Sequence, residues 1–131
     1  MAEGLLRKVA DPFDFGGGHI NPNRAADPGL IYDINPKDYV KFFDWSPSRT
    51  EDCNATRGPS YHLNLPSIAI PNLRTSVTTW RTVTNVGQVY ARYEAIIESP
   101  PGVKMVVEPS SLIFDATTKM RAFKVTFTST Y

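Results

Sequence analysis

The stretch Val89-Tyr90-Ala91-Arg92-Tyr93-Glu94-Ala95-Ile96-Ile97-Glu98 decides the fold class. Val89, Ala91, Tyr93, Ala95 and Ile97 share one face of an extended chain, while Arg92, Glu94 and Glu98 fall on the other. A period of two marks a half-buried strand, because successive side chains leave opposite faces of a pleated backbone. Upstream, residues 75–84 are rich in Thr and Val around Trp80 and close at Asn85-Val86-Gly87. Downstream, Pro100-Pro101-Gly102 breaks the pattern, and Val103, Met105 and Val107 then alternate with Lys104 and Glu108 up to Pro109. Leu112 and Phe114 form a short run, residues 115–119 a polar turn, and Phe123, Val125 and Phe127 alternate with Lys124, Thr126 and Thr128. With residues 65–70 counted, six strands are expected, and turn signals between them describe a mainly β chain folded as an antiparallel sandwich.

The first part of the chain reads differently. Gly16-Gly17-Gly18, Asn21-Pro22, Asp27-Pro28-Gly29 and Asn35-Pro36 are turn or cap signals. Both Asn-Pro pairs set an N-cap residue before a proline at the first helical position, where its missing N–H costs nothing. The second predicts a short helix over residues 36–43, with Tyr39, Val40, Phe42 and Phe43 on one broad face. Residues 44–58 are polar and patternless, which predicts a loop. Phe13, Phe15, Leu30, Tyr32, Phe42, Phe43 and Trp45 lack enough regular structure of their own to cover them, so they need an outside surface. A strand region of this size is smaller than the roughly 100 residues of an immunoglobulin-type sandwich, and a small sandwich is marginal by itself.

Composition narrows the function classes. The chain has 131 residues, 41% of them hydrophobic and 21% charged, enough for one domain with a core. Fourteen basic residues against 13 acidic ones leave a net charge of +1. That balance gives no electrostatic ground for a nucleic acid or an anionic membrane as partner, and no apolar run is long enough to span a bilayer. Cys53 is the only cysteine, so an intrachain disulfide is excluded. Residues 1–8 lack the apolar core of a secretory signal, which read alone favours an intracellular protein. Asn54-Ala55-Thr56 is a glycosylation sequon and points the other way, with Asn54 as the possible acceptor.

No catalytic group stands out. Acyl transfer of the serine type needs an imidazole base within reach of a nucleophile and a carboxylate to orient it. The two histidines, His19 after three glycines and His62 before a strand, have no Gly-x-Ser-x-Gly elbow near them. Gly16, Gly17 and Gly18 lack phosphate-loop spacing, and with His19 they read as a structural corner in which the backbone passes close under other side chains. Cys53, His19 and His62 are scattered, so no metal site is expected, and no cofactor is expected either. Arg74, Arg81, Arg92 and Arg121 are interleaved with Glu94, Glu98 and Glu108, which reads as a mixed, solvated face.

Several stretches resemble, in order, the C-terminal portion of plant subtilisin-like serine proteases. Pro12-Phe13-Asp14-Phe15-Gly16-Gly17-Gly18-His19-Ile20-Asn21-Pro22, continuing through Ala25-Ala26-Asp27-Pro28-Gly29-Leu30-Ile31-Tyr32-Asp33, is similar to the segment that closes that family's protease domain. Asp38-Tyr39-Val40-Lys41-Phe42-Phe43 resembles its short helix. Leu63-Asn64-Leu65-Pro66-Ser67-Ile68, Arg81-Thr82-Val83-Thr84-Asn85-Val86-Gly87, Pro100 to Pro109 and Phe123 to Phe127 resemble its terminal fibronectin-III-like domain.

The resemblance implies a division into residues 1–45 as the tail of a truncated peptidase domain, 46–60 as a linker loop and 61–131 as the sandwich. It implies a non-catalytic region that braces or regulates a catalytic domain missing from the chain, with serine endopeptidase activity belonging to the parent. The family's Gly-Thr-Ser-Met nucleophile stretch does not occur in the sequence, so no catalytic residue is carried over. The partner it implies is the parent's catalytic domain, with the isolated chain a monomer and the parent secreted. Where relatives carry a first cysteine after the short helix, Asp44-Trp45 stands, so the resemblance implies that Cys53 is an unpaired thiol. An independent protein-binding module using exposed loops or an edge strand is the alternative reading.

Overall fold

The computed structural model describes residues 9, 14, 16–42 and 59–131. In chain order these form helix α1 (Pro22–Ala26), strand β1 (Leu30–Ile31), helix α2 (Pro36–Phe42), a short 3₁₀ turn (Ser60–His62), and then β2 (Ser76–Asn85), β3 (Ala91–Glu94), β4 (Val103–Glu108), β5 (Ser111–Phe114) and β6 (Met120–Ser129). Four strands make one sheet in the order β1-β2-β6-β4, and β3 and β5 make a second. Every pairing is antiparallel. The mainly β sandwich expected from the period of two is therefore the architecture.

Both Asn-Pro signals start helices. Asn21 caps α1 by accepting the Arg24 N–H at 3.2 Å, and the Asn35 side chain accepts the Lys37 N–H at 3.0 Å ahead of α2. The second helix is described as far as Phe42, and the expected bound at Phe43 lies outside the described residues. Phe13, Phe15, Phe43 and Trp45 lie outside the described residues.

The core sits between the two sheets. Val83 from β2 packs against Leu112 and Phe114 from β5, and Leu30, Tyr32, Tyr93 and Phe123 close around them. Tyr93 meets Phe114 edge to face, with centroids 5.8 Å apart, a geometry that suits the ring quadrupoles. On the outer face of the larger sheet, hydroxyls pair across strands: Ser76 with Thr128 at 3.2 Å and Thr78 with Thr126 at 2.9 Å. Beyond them, Lys124 meets Glu108 at 3.1 Å in direct register.

Two expectations are corrected. Residues 65–70 form no strand. Pro66 and Pro71 remove ladder donors, and the segment is held instead by a side chain. That side chain is Arg81, placed among the solvated arginines by its sequence context but 1% exposed in the fold. The odd positions of β2 face inward, so Thr79, Arg81 and Val83 are buried while Trp80 is 60% exposed. The Arg81 guanidinium donates to the carbonyls of Leu65 (2.8 Å), Ser67 (3.3 Å) and Trp80 (2.8 Å), and to the Thr79 hydroxyl (2.9 Å). Thr79 in turn donates to the Tyr61 carbonyl at 2.8 Å. Its one proton is then spent, so His62, whose Nδ1 lies 3.3 Å from the same oxygen, approaches as a donor. Burial lowers the Arg81 pKa, and Tyr32 opposes that shift.

Arg81→Met keeps the aliphatic stem and leaves the part-buried Leu65 and Ser67 carbonyls without their donor. A stability loss of about 3 kcal/mol in urea denaturation is expected, with Arg81→Lys recovering only part because one compact ammonium cannot reach all four oxygens. Wild-type stability in Arg81→Met would refute this role. A second prediction concerns Asp115, whose carboxylate accepts from the Thr117 hydroxyl (2.7 Å) and from the Thr117 (2.8 Å) and Thr118 (2.7 Å) amides. These bonds hold its pKa at about 2. Because the folded value is depressed, the contribution is complete above the unfolded carboxylate value of about 3.9 and is lost as pH falls toward 2. Asp115→Asn should therefore be less stable than wild type at neutral pH, the gap closing between about pH 4 and 2. A pH-independent gap in thermal melts would exclude this origin.

Candidate functional site

The glycine corner is exposed throughout, His19 included. Gly16 and Gly18 adopt φ of +52° and +96°, conformations that L side chains rarely take. Among the described residues nothing lies within 4 Å of a Cβ built on Gly16, Gly17 or Gly18. His62 lies apart from it in the chain and is engaged with Thr79 and, edge to face at 4.7 Å, with the Tyr61 ring. No group of three metal-ligating side chains occurs among the described residues, and Cys53 and Asn54 lie outside them.

The residues that do converge form a seam between the first part of the chain and the sandwich. β1 adds to the edge of β2 in the register Leu30↔Asn85 and Ile31↔Thr84. Continued by two residues, that register would set Asp33 opposite Thr82. There the Asn64 side chain takes over. Its amide donates to the Thr82 carbonyl and accepts the Thr82 N–H, both at 2.8 Å, and also donates to the Asp33 carbonyl at 3.1 Å. A primary amide offers the donor and acceptor of a peptide unit, so Asn64 substitutes for a strand residue where the backbone of β1 has left the sheet.

At the other end of β1 the Asn85-Val86-Gly87 turn closes on Gly29. Its carbonyl accepts the N–H groups of Val86 (2.8 Å) and Gly87 (3.1 Å). The Asn85 side chain donates to the Gln88 carbonyl at 2.7 Å and accepts from the Gly87 N–H and the Tyr93 hydroxyl at 3.1 and 3.2 Å. Gly29 has φ +71°, and a Cβ there would sit 2.9 Å from the Tyr93 hydroxyl. Two independent constraints thus require glycine at one position. Sequence reading marked Asp27-Pro28-Gly29 as a turn and missed its partner, because no local pattern reports which distant turn a carbonyl will meet.

A cleft of about 270 Å³ runs along this seam, walled by Leu30, Tyr32, Val83, Val107 and Phe123, with Glu94 at its rim. Walls of this apolar character can bury an apolar group.

The fibronectin type-III domain model matches residues 62–131. Subtilisin-like protease SBT3.11 of Arabidopsis thaliana is 47% identical over 143 residues, taking in all of this chain and 19% of its own length. Subtilisin-like proteases SBT3.5 and SBT3.10 of the same plant are 45% and 48% identical, again over the whole chain and over 18% and 19% of theirs. The chain thus spans about a fifth of the length of the curated relatives it matches. It belongs to the plant subtilisin-like protease family, of which it carries the C-terminal portion with its fibronectin type-III domain.

Proposed function

We propose that this chain is the non-catalytic C-terminal region of a subtilisin-like serine endopeptidase and braces the catalytic body that its relatives carry. Residues 1–45 are the closing tail of the peptidase domain, 46–60 a linker loop and 61–131 the sandwich. One observation carries this reading: β1, well upstream of the fibronectin-matched residues, is hydrogen-bonded into their sheet. A strand shared in this way passes load between the peptidase tail and the sandwich through backbone hydrogen bonds rather than through a flexible tether. Asn64 and Gly29 secure its two ends.

Peptide hydrolysis through a serine acyl-enzyme belongs to the parent, whose catalytic groups this sequence does not supply. The secretory route of the family gives the Asn54 sequon its meaning and makes Cys53 a thiol in an oxidising compartment.

The chain alone should neither turn over a fluorogenic peptide nor react with a fluorophosphonate serine probe, and specific labelling would defeat the non-catalytic assignment. Gly29→Ala tests the brace. It should lower the stability of this chain by roughly 1–2 kcal/mol, since it forces alanine to positive φ against the Tyr93 hydroxyl. Placed at the matching glycine of a full-length relative, the same change should shorten the half-life of peptidase activity at elevated temperature while leaving initial kcat/KM unchanged. An unaltered half-life with a weakened sandwich would separate the seam from bracing.

A further inference from the structure

In the smaller sheet β3 is paired to β5 on one side, and no described strand lies along its other edge. The Ala95 N–H reaches the Ser110 carbonyl at 2.8 Å, so the odd positions of this segment direct their backbone groups toward β5. By alternation the even positions of β3, 92 and 94, direct theirs to the open edge. The same two positions, Arg92 and Glu94, put their side chains on the outer face. Arg92 and Glu94 touch each other at 2.8 Å with about two-thirds of each side chain in solvent.

This row is its own complement when reversed. An antiparallel twofold pairing centred on Tyr93 sets Arg92 opposite the second copy's Glu94. The parity also agrees: 92 with 94 becomes a hydrogen-bonded pair, because those are the β3 residues whose N–H and C=O groups turn away from β5. Edge strands that discourage pairing carry charges that repel a copy of themselves, whereas this edge carries one charge of each sign, placed symmetrically about the centre.

We propose that two copies of this chain associate through their β3 edges, forming a continuous β5-β3-β3-β5 sheet with Tyr93 at the twofold axis. A weak, salt-sensitive dimer then stands against the monomer expected from the sequence. The interface is short, so association is concentration-dependent and sits at the low end of specific contacts.

Sedimentation equilibrium of the whole chain over a concentration series tests this, with circular dichroism confirming that each variant folds. The altered side chains are exposed, so folding is expected to survive. Arg92→Glu and Glu94→Arg each set like charges opposite one another twice and should weaken self-association about tenfold. The double variant R92E/E94R should regain wild-type association. An equimolar mixture of the two single variants should form a heterodimer, because each then supplies the charges the other lacks. A wild-type chain that stays monomeric to its solubility limit overturns the proposal. So do single variants that dimerise as well as wild type, or a mixture that fails to associate.

Discussion

The inner face of β2 must satisfy a row of backbone carbonyls that have no ladder of their own, and Arg81 is the group that does it. Residues 61–67 run along this face, and the carbonyls of Tyr61, Leu65 and Ser67 accept from its side chains in a part-buried setting. A planar guanidinium has five donors in a fixed fork, and four of its contacts are made. The cost of removing its charge from water is offset by oxygens that would otherwise be orphaned. Everything else is arranged around the strand that carries it. β2 holds β6 along one edge and β1 along the other, contributes Val83 to the core, and ends in the turn that receives Gly29.

Alternation made most of this architecture legible before any coordinates. Wherever apolar and polar residues exchange places every second position over five or more residues, a strand is present: 76–85, 103–108 and 120–129. The run around Tyr93 is a strand only at its centre, Ala91–Glu94, because its four-residue partner β5 offers no longer ladder. Residues 65–70 misled for a related reason. They are rich in apolar residues, but Pro66 interrupts the run and sequence does not disclose that a distant side chain will occupy their carbonyls. Arg81 misled in the opposite sense, since an arginine between threonines reads as surface until the parity of β2 turns it inward.

The seam was harder still. Gly29 and Asn64 each look like loop residues, and the resemblance to subtilisin-like proteases supplied their motifs without giving a reason for them. The reason is long-range. Gly29 must be glycine because Tyr93, far along the chain, lies over it. Asn64 must present an amide because β1 stops one ladder position too early. Local patterns encode strands and caps, whereas residues that serve a contact between remote segments carry no periodic signature.

The sheet order β1-β2-β6-β4 has a consequence for how the chain is made. During synthesis β1, β2 and β4 all emerge before β6, yet β6 is the strand that lies between β2 and β4 and joins them. Until it leaves the ribosome, β2 has one bare edge and β4 has no neighbour at all. The pairing of β1 with β2 and the small β3-β5 sheet are the units available earlier, and the larger sheet closes only when β6 follows. A nascent chain arrested before Met120 would therefore present one bare edge of β2 and an unpaired β4 to its surroundings, so a single strand covers both exposed edges at once.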